Sequence, residues 1–484
     1  MNIIKDTFII TQEITDAFAQ ASGDFNPLHV DPVAARRYQF GSTVIHGIDG
    51  LLKALDIVVA KLDAPVAIKN LKVQFNSPVR HGDTIELRTS EINPGSVRIE
   101  LFTSGKRTQI IDVEFIQTAQ HAPALVDNVF NKSDSTSEVV ELEFADSESL
   151  SSEVKLIWDS RRISELFPHL YQYMPNNQIA VLIGTTNIVG TKCPGLHSVY
   201  GGLKISFDAN ADDSDPVLKY TVTKSDSRFS LIAISVVHNC ARGEIEALFR
   251  PEPIEQPNFM SIGKLVEPEQ FKNQHALIVG GSRGVGEITA KLIASGGGHP
   301  VITYAKGKDD ANRVAKDIVD NGGKCDALML NVLSPELDLN GAANEKPITH
   351  IYYFASPLIE KSDSIIWSEM IFRKFTDFYI SGLADLLEIF VKIPAYRKSG
   401  MTVFIPSTIY LDEPQKGFAE YIAAKAATEA FIKQFAYKYP TFKFIAPRLP
   451  RMMTDQTSGV ANDSPLHAAE IMIKAISRSE SCDG

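Results

Sequence analysis

One short pattern occurs twice in this chain at a fixed separation. NLKVQF over 70–75 and GLKISF over 202–207 align at an offset of 132 residues. Each follows an apolar stretch of helical length, IDGLLKALDIVVAKL over 48–62 and QIAVLIGTTNIV over 178–189. Apolar residues fill helical and intervening positions alike, which predicts helices buried on all sides. Each copy is also followed by three strand-like runs. In the first copy these are TIELRTSEI, SVRIELFTS and TQIIDVEFIQ, and in the second PVLKYTV, RFSLIAISVVH and GEIEALFRP. A unit repeated in this way predicts an internal duplication. One half is expected over residues 1–118 and a second over 151–252. Between them, 119–150 is rich in Ser, Asp and Glu and short of apolar periodicity, so it reads as a linker with at most one strand.

The remaining length needs a further domain, since 484 residues exceed one core at about 150 residues per domain. Apolar content of 44% and charged content of 22% are those of a soluble globular protein. The net charge of −11 argues against a nucleic-acid partner, although Arg36-Arg37 is a small local basic patch. Four scattered cysteines (Cys193, Cys240, Cys325 and Cys482) show no paired spacing, so neither a metal site nor a disulfide framework is expected. The amino terminus has no basic region followed by an apolar core, and no apolar run approaches the ~20 residues of a membrane span. These features predict a cytoplasmic location.

Chemistry concentrates first around Gly23-Asp24-Phe25-Asn26-Pro27-Leu28-His29, with His46-Gly47 opening the first apolar helix. An acid and an imidazole on one tight turn can share proton transfer. Backbone N–H groups at a helix start can hold a developing oxyanion. The run resembles the signature of the (R)-specific enoyl hydratases, or MaoC-like dehydratases, G-D-x-N-P-[LI]-H-x-[DN]-x-x-x-A…F…I-x-H-G. The resemblance implies a hot-dog fold, here an α+β double hot-dog with both halves in one chain. It implies that Asp24 and His29 position the water added or removed across a 2,3-enoyl thioester. The Gly47 N–H then polarises the thioester carbonyl, with Asn26 and His46 in orienting roles. The second half lacks this signature. Its run Cys193-Pro194-Gly195-Leu196-His197 has a histidine but no acid nearby in sequence, so His197 reads as structural. The second half is expected to supply packing and one wall of an acyl tunnel.

After a proline-bearing linker at 253–271, a short apolar strand (ALIV, 276–279) runs into GGSRGVG and an amphipathic helix, as a phosphate-binding βα turn requires. Gly280, Gly284 and Gly286 would let the backbone approach a pyrophosphate at the helix N-terminus. Downstream, Ser407 ends a strand-like segment, and Tyr421 and Lys425 lie one helical turn apart. Together these residues resemble the short-chain dehydrogenase/reductase family over about 272–460, which implies an α/β Rossmann domain, a doubly wound parallel sheet, assigned to 272–484. The resemblance makes Ser407, Tyr421 and Lys425 catalytic. It assigns Gly280, Ser282, Arg283, Gly284, Val285, Gly286, Lys306, Asn331 and Lys425 to the cofactor. A phenol with a pKa near ~10 is a poor proton donor and acceptor at neutral pH, and the lysine ammonium is expected to lower it.

Several positions depart from that pattern. The usual helix asparagine should fall near DFYISG, where Tyr379 stands instead. Ser407 follows Pro406 and lies 14 residues before Tyr421, one more than is common, and Arg448 replaces a usual glycine. No acid ends the second strand (VITYAKGKDD, 301–310) to hold a free ribose 2′-hydroxyl. Lys306 and Arg283 instead suit a 2′-phosphate, which favours NADPH over NADH. The combination predicts a bifunctional enzyme. A 3-oxoacyl thioester is reduced to the (R)-3-hydroxyacyl thioester and then dehydrated to the trans-2-enoyl thioester, as in fatty acid or polyketide biosynthesis. The acyl group rides on acyl carrier protein or coenzyme A. The degradative direction, and a hydratase carrying an inactive reductase-like scaffold, are the alternatives. A homodimer held mainly by residues after 272 is expected.

Overall fold

The computed structural model describes residues 4–62, 64–93, 95–118, 138–208, 216–336, 347–359, 361–362, 366–454 and 464–477. The chain forms two compact units, Met1–Glu252 and Pro253–Gly484.

In the first unit, ten strands make one antiparallel sheet: β1 (Lys5–Ile9), β2 (Val66–Phe75), β3 (Thr84–Asn93), β4 (Ser96–Thr103), β5 (Lys106–Gln117), β6 (Ser151–Lys155), β7 (Ser198–Phe207), β8 (Val217–Asp226), β9 (Leu231–His238) and β10 (Ala241–Phe249). Their order is β1-β3-β4-β5-β2-β7-β10-β9-β8-β6, so the two halves mirror each other about the β2–β7 seam. At that seam Lys72 faces Lys204, and these two residues are equivalent under the 132-residue offset. The two copies of the repeated pattern therefore pair with each other, antiparallel, across a local twofold. Three consecutive strands form a simple meander in each half, β3-β4-β5 and β8-β9-β10, while β2 and β7 cross to the far sides of β5 and β10.

Among the described residues the α-helices of this unit are α1 (Gln12–Ser22), α2 (Pro27–Val30), α3 (Pro32–Ala35), α4 (Gly47–Leu62), α5 (Ser160–Leu166), α6 (Pro168–Tyr173) and α7 (Asn176–Asn187). The two repeat helices, α4 and α7, are buried along nearly their whole lengths and share one core with the inner face of the sheet. Strands β4, β9 and β10 turn alternate side chains into that core, as the period of two requires. A turn of π-helix, Ile188–Lys192, extends α7 toward the start of β7. Residues 119–137 of the expected linker lie outside the described residues. Its later part is folded, with Glu141 bridged to Gly195 and β6 paired with β8.

The second unit is a parallel sheet of β11 (His275–Val279), β12 (His299–Tyr304), β13 (Asp326–Met329), β14 (His350–Tyr353), β15 (Met401–Phe404) and β17 (Phe442–Ile445). Its order β13-β12-β11-β14-β15-β17 is that of a doubly wound Rossmann sheet. A separate pair, β16 (Ser407–Thr408) and β18 (Arg448–Leu449), lies beyond it. The helices are α8 (Phe259–Gly263), α9 (Gly284–Ser295), α10 (Lys308–Asp320), α11 (Glu369–Thr376), α12 (Gly382–Lys392), α13 (Pro394–Ser399), α14 (Ala419–Lys438) and α15 (Pro465–Ser477). Residues 253–271, expected as a linker, belong to this unit. Phe259 and Ile262 of α8, with Phe271, are buried in its core. Among the described residues no helix is long and apolar enough to cross a membrane.

Candidate active sites

Local sequence chemistry builds the first site. Helix α1 stops at Gly23, whose φ of +70° suits glycine and whose N–H closes on Ala19 O. The chain then turns back sharply. Asp24 Oδ1 accepts the Asn26 N–H, and Asn26 Oδ1 in turn caps α2 at the Leu28 N–H, with Pro27 preset in the first helical position. This places His29 on α2, where its Nδ1 lies 2.8 Å from Val44 O. The only proton-sharing arrangement for that contact puts the hydrogen on Nδ1, so Nε2 keeps its lone pair. His46, fully buried, stacks on the His29 ring at 3.9 Å and donates from Nε2 to the Asp24 carbonyl at 3.0 Å. Gly47 follows immediately and begins α4, where first-turn N–H groups have no partner within the helix. Phe75 packs so closely that a Cβ on Gly47 would sit 2.8 Å from its ring.

Residues of the second half hold the Asp24–Asn26 turn in place. Thr186 Oγ1 on α7 donates to Asp24 Oδ2 at 2.8 Å. Asn26 Nδ2 donates to the carbonyls of Gly190 and Gly195, 3.0 Å each, and Asn187 Nδ2 to Ser22 O. Gly190 faces the carboxylate so closely that a Cβ there would lie 2.2 Å from Asp24 Oδ1. Sequence reading missed Thr186, Asn187 and Gly190, since nothing within their own segment marks them. It also expected His197 to lack an acid. Glu141, 56 residues earlier, lies 3.0 Å from His197 Nε2.

Burial sets the electrostatics. It raises the Asp24 pKa against the opposing effects of His29, Thr186 and the Asn26 N–H. It pulls His29 down to about 3, helped by His46, and His46 likewise to about 3. Both imidazoles are therefore neutral at pH 7. Donor atoms of Asp24, His29 and His46 lie within 4.8 Å of one another, as do those of Glu141, His197 and Glu252.

The second site sits at the ends of the parallel strands. After β11, Gly280 takes a φ of +81°, and its N–H donates to Thr303 Oγ1. A Cβ on Gly280 would lie 3.2 Å from Ala355 N, and one on Gly286 2.2 Å from Gly280 O. Side chains at these positions would block the tight turn from strand to helix. Arg283 provides no side-chain cap for α9, so the helix start presents backbone donors through Gly284, Val285 and Gly286. Such a cradle fits a dinucleotide pyrophosphate. Ser282 is buried in this turn, Arg283 half-buried, and Lys306 is exposed just beyond β12. Asn331 follows β13 and folds onto its own loop through the Leu333 N–H and Ser334.

Tyr421 and Lys425 share the buried face of α14. Lys425 Nζ donates to Pro406 O at 2.8 Å and lies 3.9 Å above the Tyr379 ring, 5.9 Å from the Tyr421 ring. Tyr379, in the place of the expected asparagine, occupies a turn of π-helix (Asp377–Ser381), and its hydroxyl is 2.7 Å from Ser356 Oγ. The expected lowering of the Tyr421 pKa by the lysine does not occur. Burial pushes the phenol up to about 12, and the same burial pulls Lys425 down to about 7. Desolvation here outweighs the attraction of a cation held against a different ring.

Ser407 does not turn toward Tyr421. Its hydroxyl donates to Glu429 Oε1 at 2.5 Å, and Arg448 grips the same carboxylate through Nε and Nη2 at 3.1 and 2.9 Å. The next residue, Thr408, is among the groups that lower the Tyr421 phenol against the larger effect of burial.

Comparison with known proteins finds one family in each unit. The family description "MaoC like domain" matches residues 5–111, and "short chain dehydrogenase" matches 274–446. A Synechocystis sp. protein named 3-oxoacyl-(acyl-carrier-protein) reductase is 27% identical over 201 residues, 40% of this chain and 79% of that one. The mitochondrial 3-hydroxyacyl-(acyl-carrier-protein) dehydratase of Arabidopsis thaliana is 32% identical over 84 residues, 17% of this chain and only half of that protein. The 3-hydroxyacyl-thioester dehydratase Z of Mycobacterium tuberculosis is 30% identical over 110 residues, 21% of this chain and 73% of that protein. With an antiparallel double hot-dog around Asp24 and His29 and a Rossmann sheet carrying Tyr421 and Lys425, the chain belongs to the MaoC-like dehydratases through its first unit and to the short-chain dehydrogenases through its second.

Proposed function

We propose that this chain is a bifunctional enzyme that reduces a 3-oxoacyl thioester to the (R)-3-hydroxyacyl thioester and dehydrates that product to the trans-2-enoyl thioester. One observation carries the reading: the same chain holds two separate proton-transfer centres, Asp24 with His29 and Tyr421 with Lys425, each on the fold its chemistry uses. The relatives' names supply the substrate class, an acyl thioester, carried in two of them on acyl carrier protein; coenzyme A is the other carrier proposed.

In the first unit, the neutral His29 offers Nε2 as a base, and Asp24, its pKa raised by burial, exchanges a proton nearby. Dehydration breaks the C2–H and C3–O bonds. The C–H electron pair becomes the new double bond, the base keeps the C2 proton, and the acid gives one to the departing hydroxyl. The Gly47 N–H stabilises negative charge on the thioester oxygen meanwhile. Hydration is the same path reversed. Thr186 and Asn26 hold Asp24, so their role is to position it.

In the second unit, residues 280–286 would hold the cofactor's pyrophosphate, with Lys306 and Arg283 toward a 2′-phosphate and Asn331 and Lys425 along the rest. NADPH, when bound, supplies a hydride. Tyr421 delivers a proton to the carbonyl oxygen as it gains charge, and Lys425, with a pKa near 7, can return one to the phenol at neutral pH. Exposed Ile366, Trp367 and Met370 before and on α11 support a homodimer through this unit. Free, separated cysteines among the described residues support a reducing, cytoplasmic setting.

A second reading, an inactive reductase-like scaffold, is favoured by the tie of Ser407 to Glu429 and by Tyr379 in the asparagine's place. One assay decides: NADPH or NADH plus acetoacetyl thioesters on both carriers, with products identified by mass spectrometry. Asp24→Asn should consume NADPH normally and accumulate 3-hydroxybutyryl thioester, with dehydration slowed by about 10²–10⁴-fold. Tyr421→Phe should fail to oxidise NADPH yet still dehydrate supplied (R)-3-hydroxybutyryl thioester. Crotonyl thioester formed by Asp24→Asn at near wild-type rate would overturn the dehydratase assignment. A preference for NADH would favour the degradative direction.

A further inference from the structure

We propose that Tyr379, standing where an asparagine was expected, positions Lys425 for catalysis through the face of its ring, and that its hydroxyl serves only to hold that ring. The inference rests on the reductase reading above and names a positioning residue of that same site.

A buried ammonium needs something in place of water. Lys425 is 7% exposed, and its Nζ donates to a backbone carbonyl, Pro406 O, at 2.8 Å. Two aromatic rings face the same nitrogen. The Tyr379 centroid is 3.9 Å away and that of Tyr421 5.9 Å, so the buried Tyr379 ring supplies the nearer negative face.

The hydroxyl of Tyr379 is committed elsewhere. Ser356 gives its one hydrogen to Pro357 O at 2.7 Å, so in the 2.7 Å contact between Ser356 and Tyr379 the phenol is the donor. A phenol that donates leaves more electron density on its ring, which strengthens the face a cation meets. The backbone fixes the ring's place. Tyr379 lies in the π turn Asp377–Ser381, which the Gly382 N–H closes on Asp377 O. From β14, the Tyr353 hydroxyl donates to Phe378 O at 2.6 Å. Phe375 stacks beside the Tyr379 ring at 5.8 Å, and Tyr421 meets it edge-on at 6.2 Å. One ring therefore borders both the lysine and the tyrosine of the proton-transfer pair. An asparagine would offer an amide dipole here but no aromatic face. Tyr379 exchanges no proton itself; it holds the Lys425 ammonium beside the Tyr421 phenol.

Two full-length variants test this with NADPH and acetoacetyl-coenzyme A. Tyr379→Leu, which removes the face, should lower kcat by about 10–100-fold, the weight of a desolvated cation–π contact. Tyr379→Phe keeps the face and loses the hydroxyl, and should stay within about threefold of wild type. Equal losses in the two variants would place the effect in the hydroxyl and overturn the proposal, as would a Tyr379→Leu enzyme with wild-type kcat. A second readout needs no substrate. With 13C at lysine Cε, the resonance lost in Lys425→Met should have its protons shifted upfield by the ring beneath them. It should stay upfield in Tyr379→Phe and move downfield in Tyr379→Leu. The other lysine resonances should keep their places, which shows that the unit is folded. A Lys425 resonance with no upfield shift in the wild type, or one indifferent to Tyr379→Leu, would remove the contact on which the inference stands. A wild-type enzyme that bound NADPH and kept the upfield resonance but reduced no 3-oxoacyl thioester would overturn the reductase reading instead.

Discussion

His29 and His46 stack face to face inside the first unit, each pulled by burial to a pKa of about 3. Two imidazolium rings at 3.9 Å would repel, and one acid, Asp24, 3.7 Å from His46 Nε2, is shared between them. In the unfolded chain both take protons near pH 6.5. Between pH 6.5 and about 3 the unfolded state therefore binds more protons, and stability falls as the pH drops. His81, also lowered by burial, acts with the same sign, whereas Asp24 and Asp49, both raised by burial and Asp49 to about 8, act oppositely. In calorimetry from pH 7 to pH 4, His46→Gln, which cannot titrate, should keep more of its unfolding temperature at the acid end than wild type does; identical pH dependences would show that this imidazole does not contribute. At this scale the identities of Asp24, His29, Tyr421 and Lys425 were legible because each is a reactive group in a short, recognisable spacing.

Helix α7 and its π-turn show what an element contributes without any reactive group. Thr186 bonds the carboxylate, and Gly190 leaves space for it. Gly190→Ala would drive a methyl to within 2.2 Å of Asp24 Oδ1, so the carboxylate or the turn must move. Dehydration should fall by about 10²-fold or more as Asp24 leaves its place, and the unit should lose about 1–3 kcal/mol from overpacking. NADPH-dependent reduction should be unaffected. Dehydration at wild-type rate in this variant would mean that Asp24 does not need the position described. The helix itself was readable from its apolar run. Its closeness to Asp24 was not, since a contact between residues 162 positions apart leaves no mark on either segment.

Two autonomous folding patterns on one chain also set how it should assemble. The β2–β7 seam joins the two hot-dog halves within the chain, so the first unit completes its sheet without a partner. The second unit exposes Ile366, Trp367 and Met370, with Ile366 84% and Met370 73% exposed. The full chain should be a dimer by light scattering, and Ile366→Lys with Met370→Lys should make it a monomer with the double variant's dehydratase activity intact. A dimer that survives both changes would move the interface elsewhere.

The sequence by itself determined the duplication, the strand–glycine–helix turn and the two reactive groups of residues, because periodicity and short spacings are local and survive without knowing the fold. It also carried the seam implicitly, since equivalent strands of a duplicated unit have matching faces to bury. Only the tertiary structure decided that β2 leaves the meander, that residues 253–271 pack into the second core, and that α7 walls the Asp24 site. It likewise decided that burial, not the neighbouring lysine, governs the Tyr421 phenol, and that Ser407 faces Glu429. Desolvation and long-range hydrogen bonds depend on which distant residues surround a group, and no segment read alone contains that information.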